Sequence, residues 1–305
     1  MRIANLSNRL ALITDGRAVD VHEASGGRFG PSPQSAYDDW EAFVDWTRGA
    51  DLSSSSSTDL DALGSPAPTP RQVFAIGLNY VNHAKESGLP VPSVPMVFTK
   101  FPSSITGPTG TINLSGDSVD WEVELVAVIG IEARNVSEAD AWKYVAGLTV
   151  GQDLSDRRVQ LEGKSPQFSL GKSFEKYAPM GPWLVTVDEF ENPDDLRVSC
   201  LKGEESVQDS RTSDLVFSVP QLVSYLSKIV TLFPGDVIFT GTPEGVGLGR
   251  SPQIYLQDGD VLTTTIEGIG SMTHQFTRPA EPNNAARNIG SRFEEPTTNV
   301  VPATS

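Results

Sequence analysis

Three acidic residues carry the first chemical suggestion in this sequence. Glu122 and Glu124 stand two apart in Val119-Asp-Trp-Glu-Val-Glu-Leu-Val-Ala-Val-Ile-Gly130, a run of strand character. In a strand, residues i and i+2 share a face roughly 6.7 Å apart. That parity puts Trp121, Val123, Leu125, Ala127 and Ile129 on one face and Asp120, Glu122, Glu124, Val126 and Val128 on the other. Two glutamates can converge on one cation across this gap. The same acidic row also fits an exposed edge strand whose charges discourage aggregation. Asp153 offers a third ligand: in Gly147-Leu-Thr-Val-Gly-Gln-Asp153 it shares a face with Thr149 and Gly151, small residues that leave room for a metal and its waters. An all-carboxylate set without clustered His or Cys favours Mg²⁺ or Mn²⁺ over structural zinc.

A His/Glu pair is the second suggestion. The chain holds three histidines, His22, His83 and His274. His83 is followed at i+3 by Glu86 in GLNYVNHAKESG, and on a short helix that spacing lets the carboxylate orient the imidazole. Such a pair can act as a general base on water; taken by itself it also fits an ordinary surface pair. The glycine-rich TGTPEGVGLG, residues 240–249, lacks both the Lys-Ser/Thr ending of a phosphate loop and a dinucleotide-binding context, so no nucleotide site is expected there.

The elements that must position these groups are mostly strands. From Gln72 onward, short strand-like runs are separated by Gly, Pro and Asp turns, and the PGD and DGD turns at 234–236 and 258–260 each feed a strand. Helices are expected over Ala36–Trp46, over Glu138–Val145, and after Ser218, where Val219, Leu222, Val223, Leu226, Ile229 and Val230 recur at helical spacing. Strands and helices do not alternate regularly, which favours a β-rich α+β fold over a doubly wound one. Ser53–Ser57 and the Pro-rich run at 64–70 mark a linker, which divides a small N-terminal α+β region (1–70) from a main domain (71–278). The polar residues 279–305 are expected to form a flexible C-terminal tail. Cys200, alternating with Leu196 and Val198, reads as a core residue.

Composition narrows the partners. With 305 residues and 38% apolar content, the chain can bury a large core, and its single cysteine permits no internal disulfide. Twenty-three Lys and Arg against thirty-nine Asp and Glu give a net charge of −16, which disfavours nucleic acid and anionic membrane surfaces. No signal-peptide or membrane-spanning run is present, so a cytoplasmic protein is expected. An anionic substrate would need positive charge concentrated locally, by a metal or by a few basic side chains.

Eight segments in order, GLNYVNHAKESG, FTKFPSSITGP, VDWEVELVAVIG, GLTVGQDLSDRRVQ, QFSLGKSF, GPWLVTVDEF, TLFPGDVIFTGTPEGVG and GDVLTTTIEGIG, resemble the fumarylacetoacetate hydrolase superfamily over about residues 72 to 270. The similar branch includes acylpyruvate hydrolases, oxaloacetate decarboxylases and tautomerases, and diketo-acid hydrolases. The resemblance implies a mixed β-sandwich roll, a homodimer, and a small anionic keto-acid substrate. It implies Glu122, Glu124 and Asp153 as metal ligands for Mg²⁺ or Mn²⁺, His83 and Glu86 as a water-activating dyad on a lid segment, and Lys172 as a lysine pointing into the site. Arg157, Gln160 and Thr242 match substrate-contacting positions. The activity implied is hydrolysis of a C–C bond in a 2,4-diketo acid of the acylpyruvate type; oxaloacetate decarboxylation or keto–enol tautomerisation at the same site is the alternative. Asp120 matches no ligand position, and His22 and His274 fall outside the matched set.

Overall fold

The computed structural model describes residues 1–52, 56–57 and 62–278. The tail expected over 279–305, and most of the Ser53–Ser57 run, lie outside the described residues. The acidic strand anchors everything else. Val123–Ile129 is buried along its whole length, because both faces are covered. Val123, Leu125, Ala127 and Ile129 join one core while Val126 and Val128 join a second core on the opposite face, the division that strand parity predicts.

Val145–Gln152 pairs with this strand on one side and Val237–Phe239 on the other, both antiparallel. The sheet extends through Ala178–Val185 to the N-terminal strands Arg2–Leu6, Arg9–Thr14 and Arg17–Asp20. In the other direction it continues through Val73–Gly77, parallel to Val237–Phe239, to Met96–Thr99. The result is a mixed sheet of 12 strands. A second sheet of five strands, in the order Glu205–Arg211, Arg197–Lys202, Val261–Ile266, Gly270–Thr277 and Thr109–Asn113, lies across the first core together with the helix Val219–Ile229. This is the strand-rich α+β sandwich that the sequence predicts. Backbone pairing crosses the division drawn at residue 70, since Arg2 is in register with Val185 and Ile3 with Leu184.

Local chemistry explains the helices. Gln221 reaches back to accept from the Ser218 backbone N–H at 2.9 Å, fixing the start of Val219–Ile229. The helix expected over Ala36–Trp46 is interrupted: Asp39 leaves helical geometry (φ −149°, ψ 78°) and its carboxylate accepts from Ala42 N at 3.1 Å, so Ser35–Asp38 and Trp40–Thr47 are separate helices. The α-helix expected over Glu138–Val145 is instead a 3₁₀ helix, Glu138–Tyr144. There the Ser137 hydroxyl donates to the Asp140 side chain at 2.7 Å, and no side chain caps the first-turn backbone donors. Cys200 is fully buried in the first core, and burial pushes its thiol up to about 12.

The strand packing leaves no room for a side chain at Gly147. A Cβ there would lie 2.8 Å from the Val185 carbonyl carbon and closer still to its oxygen, and a backbone group inside a sheet cannot yield. Gly147→Ala is expected to cost about 2 kcal/mol or more by overpacking, read as a lower midpoint in thermal or urea denaturation. An unchanged midpoint would show that this strand pair can part freely.

Candidate active site

Register delivers the three carboxylates to one place. Asp153 N donates to the Glu122 carbonyl at 2.9 Å, and Glu124 sits opposite Gly151, so the end of one strand is locked beside the end of its neighbour. Glu122, Glu124 and Asp153 are all buried, and each offers a carboxylate oxygen within 4.8 Å of the others. The reason for the small residues beside Asp153 differs from the one expected. A Cβ on Gly151 would lie 2.8 Å from Phe239 Cε1 and closer to Val126 Cγ2, so the glycine admits core packing and not metal-bound waters. Thr149 turns its hydroxyl to the Gly181 carbonyl at 3.2 Å.

Three buried cations oppose this negative charge. The Lys172 ammonium donates to Glu122 Oε2 (2.8 Å), Asp153 Oδ2 (2.7 Å) and Ser155 Oγ (2.8 Å). Lys100 donates to Asp153 Oδ1 at 2.5 Å and to the Lys172 carbonyl. Arg157 bridges Asp120 Oδ2 and Glu122 Oε1, each at 2.7 Å from Nη2, and its Nη1 donates to Gln160 Oε1 at 2.8 Å. Burial alone would raise the Glu122 pKa, but Lys172 and Arg157 overcome it and hold the group down to about 2. Glu124 behaves oppositely: burial, then the charges of Asp153 and Glu122, push it well above the ordinary carboxylate range. With Asp120 matched by Arg157, the three candidate ligands face two lysines, so ionising Glu124 would leave one negative charge in excess. A hard divalent cation fits that donor set and that excess.

The His/Glu pair lines a cavity of about 420 Å³ together with Glu122, Lys172, Arg157, Gln160 and Thr242. His83 and Glu86 occupy one helix, Val81–Glu86, and His83 Nδ1 donates to Glu86 Oε1 at 2.8 Å. That leaves Nε2 as the ring nitrogen able to exchange a proton. Asn79 fastens the start of this helix, donating to the carbonyls of Thr240 (2.7 Å) and Phe217 (3.0 Å). Thr242 Oγ1 accepts from Gln208 Nε2 at 2.8 Å, which leaves the hydroxyl proton for a ligand. Gly171 is required where the Lys172 segment crosses Gln160, since a Cβ would lie 2.7 Å from the Gln160 Cα and closer to its nitrogen.

The glycine-rich segment at 240–249 does bind anions, but they are the protein's own. Its backbone N–H groups donate to Glu124 from Gly241 (2.8 Å), to Glu86 from Gly245 (3.0 Å), and to Asp120 from Gly247 (2.7 Å) and Leu248 (2.9 Å). One loop therefore orients a candidate metal ligand, the partner of His83 and the partner of Arg157. Neither this cradle nor Lys100 is foreseen in the sequence reading. A signal for Lys100 existed: Met96 and Phe98 line the cavity, and alternation places Lys100 next on their face. The other two histidines lie elsewhere. His274 Nε2 meets the Gly107 carbonyl at 3.0 Å and burial lowers its pKa to about 4, while His22 Nδ1 meets the Phe29 carbonyl at 2.8 Å.

The family description "Fumarylacetoacetate (FAA) hydrolase C-terminal" matches residues 72–277. The chain belongs to the fumarylacetoacetate hydrolase family. Human "Oxaloacetate tautomerase FAHD2A, mitochondrial" is 44% identical over 207 residues, 67% of this chain and 66% of the relative. A crystal structure from Mycobacterium smegmatis is 55% identical with a TM-score of 0.89, covering 92% of this chain and all of that one. Maleylpyruvate hydrolase from Sphingobium sp. SYK-6, solved in complex with manganese (II) ion and pyruvate, is 26% identical with a TM-score of 0.71 over 91% of this chain and 99% of that chain. Family members with related folds therefore include enzymes on small keto acids, one of them crystallised with a divalent metal. Among the described residues, no helix is long and apolar enough to cross a membrane.

The raised pKa of Glu124 makes a prediction about metal-free protein. A carboxyl raised on folding contributes stability that is present at low pH and lost as pH rises through its folded value. At neutral pH its ionisation therefore opposes folding unless a cation is bound. Glu124→Gln, which keeps an acceptor for Gly241, is expected to raise the thermal midpoint of the metal-free protein at pH 7. The same substitution should abolish the rise in midpoint that Mn²⁺ gives the parent. An unchanged Mn²⁺ response in the variant would remove Glu124 from the ligand set.

Proposed function

We propose that this protein is a divalent-metal-dependent hydrolase that cleaves the C–C bond of a 2,4-diketo acid of the acylpyruvate type. The observation that carries the reading is the His83–Glu86 pair, which lines the same cavity as Glu122 of the carboxylate cluster. Glu122, Glu124 and Asp153 would hold Mg²⁺ or Mn²⁺, which supplies Lewis-acid polarisation of the keto acid when bound. Glu86 fixes the imidazole through Nδ1, so that Nε2 takes a proton from water as its oxygen adds to the distal carbonyl. Lys172, with the amide of Gln160, lowers the energy of the negative charge that develops on that carbonyl oxygen. The C–C bond then breaks; the acyl half leaves as a carboxylic acid, and the pyruvate half takes up a proton at its methylene carbon. Arg157 and the Thr242 hydroxyl orient the substrate's oxygens.

A second reading is keto–enol tautomerisation of oxaloacetate, favoured by the identity to the human tautomerase. It needs the same metal and a proton relay through His83, but no attacking water. Product analysis separates the two. Acetylpyruvate with Mn²⁺ should give acetate and pyruvate in equal amounts; interconversion of oxaloacetate forms without any acylpyruvate cleavage would select the second reading.

Two substitutions test the roles. His83→Ala should lower kcat for acetylpyruvate by about a hundredfold to ten-thousandfold, with Mn²⁺ affinity by calorimetry unchanged; retained turnover would eliminate His83 as the base. Gly249 gives a finer probe, because a Cβ there would lie 2.8 Å from both Cδ and Oε2 of Glu86. Gly249→Ala should displace that carboxylate and lower kcat about tenfold or more while KM moves less. Equal loss in both parameters would point to damaged substrate binding instead.

A further inference from the structure

The His83–Glu86 pair is aimed by contacts made outside the cavity. Glu86 closes the helix Val81–Glu86, and its carboxylate accepts from His83 Nδ1 at 2.8 Å and from the Gly245 backbone N–H at 3.0 Å (Oε2) and 3.2 Å (Oε1). One turn earlier, Asn82 Nδ2 donates to Glu244 Oε1 at 3.2 Å. The helix has 6 residues, well below the about 12 that an isolated helix needs in water. The direction of the imidazole therefore depends on where Gly245 stands.

Gly245 does not hold that place by itself. Its φ of 102° lies in the region that glycine enters freely, and rotation about its soft dihedrals would swing the N–H away from Glu86. The restraint comes through its carbonyl. Trp121 Nε1 donates to that oxygen at 3.2 Å, and Arg250 adds Nε and Nη2, each at 3.4 Å. The guanidinium lies over the Trp121 ring, with Cζ 5.6 Å from its centroid. Nη2 also donates to the Val207 carbonyl at 3.2 Å, and Nη1 to Glu205 Oε1 at 3.1 Å, both on the strand Glu205–Arg211. Arg250 thus bolts Gly245 to the indole and to the second sheet. Nε and Nη2 share one edge of a planar group, an arrangement that a lysine ammonium cannot reproduce.

Arg250 is not among the described residues that line the cavity. Its ion pair with Glu205, whose side chain is 63% exposed, is of the kind that adds little to stability. We infer that Arg250 is a positioning residue for the base. By pinning the Gly245 carbonyl against Trp121, it keeps the Gly245 N–H on Glu86, and Glu86 in turn keeps the His83 imidazole in register with the cavity. The inference rests on the reading that His83 handles the proton, and holds for acyl cleavage and for tautomerisation alike. The groups that grip the substrate are held separately, Thr242 by Gln208 and Asp120, the partner of Arg157, by Gly247 and Leu248. Loss of Arg250 should spare them.

A double-mutant cycle tests this, because a residue that acts through His83 has nothing left to act on once His83 is gone. Arg250→Met should lower kcat for acetylpyruvate about tenfold, while KM and the Kd for Mn²⁺ each stay within about a factor of two. Arg250→Lys, which keeps the charge and loses the fork, should lose about as much. In the His83→Ala background, adding Arg250→Met should slow the remaining turnover by less than about twofold. Tautomerisation of oxaloacetate serves as the readout if the parent protein does not cleave acetylpyruvate. Full kcat in either Arg250 variant, a fall in kcat that repeats in the His83→Ala background, or a rise in KM alone would each overturn the inference. Undiminished turnover in His83→Ala by itself would instead remove His83 as the base, and the positioning role with it.

Discussion

Everything at this site depends on keeping a cluster of carboxylates charged inside a protein. Asp120, Glu122, Glu124 and Asp153 are each at most 5% exposed, and an uncompensated buried ion costs several kcal/mol even after relaxation. The compensation comes from elements distant in sequence. Lys100 arrives just beyond the edge strand Met96–Thr99, Arg157 from the helix Arg157–Gln160, and Lys172 from the end of the helix Phe168–Gly171. The backbone donors of Gly241, Gly247 and Leu248 follow the strand Val237–Phe239. None of these donors can reach its acceptor until the sheet is assembled. The strand order, with the acidic strand flanked by the neighbours that end beside it, is therefore a condition for the charge cluster to exist.

The compensation is uneven, and the unevenness has chemical meaning. Glu122 has Lys172 and Arg157 on its two oxygens and is held down to about 2. Glu124 has one backbone N–H and two neighbouring carboxylates, and is pushed up. A protein that needed only a stable core could replace Glu124 with an apolar or amide residue at a gain. Retaining an acid there makes sense when something positive completes the set. The same argument reconciles a net charge of −16 with an anionic substrate, because the field at the site is set by nearby groups more than by the distant surface.

Strand parity was the most legible feature of this chain. Period-two alternation is enforced when both faces of a strand are buried, so assigning Val123, Leu125, Ala127 and Ile129 to one side and Val126 and Val128 to the other followed directly from spacing. The geometry also brings Glu122, Glu124 and Asp153 together, as their positions suggested. Other features were hidden because their cause is a tertiary partner. Gly151 is small on account of Phe239, some ninety residues away along the chain. Lys100 enters the site only through its tertiary partners, Asp153 and the Lys172 carbonyl. Asp39 broke a helix that its flanking apolar stripe supported, because a side-chain cap competes with helix continuation and the stripe does not report on that competition.

The glycine-rich loop illustrates the most general of these limits. Its composition advertises close approach and exposed backbone N–H groups, and a search for a phosphate partner correctly finds none of the flanking signature. The partners are instead Glu86, from the His83 helix, and Asp120 and Glu124, both from the acidic strand segment. The consequence is mechanical as well as electrostatic. A Cβ at Gly245, Gly247 or Gly249 would strike Val207, Ile254 or Glu86 respectively, so the loop has little freedom to move without carrying its acceptors with it. Leu78, immediately before Asn79 and the His83 helix, is held at φ 55°, a left-handed conformation that is unfavourable for a bulky residue and persists only where the surroundings over-determine it. The backbone on both sides of the cavity is thus fixed by side chains that also hold charge, and the spacing between His83 and the carboxylate cluster is set by the same contacts that make the cluster tolerable.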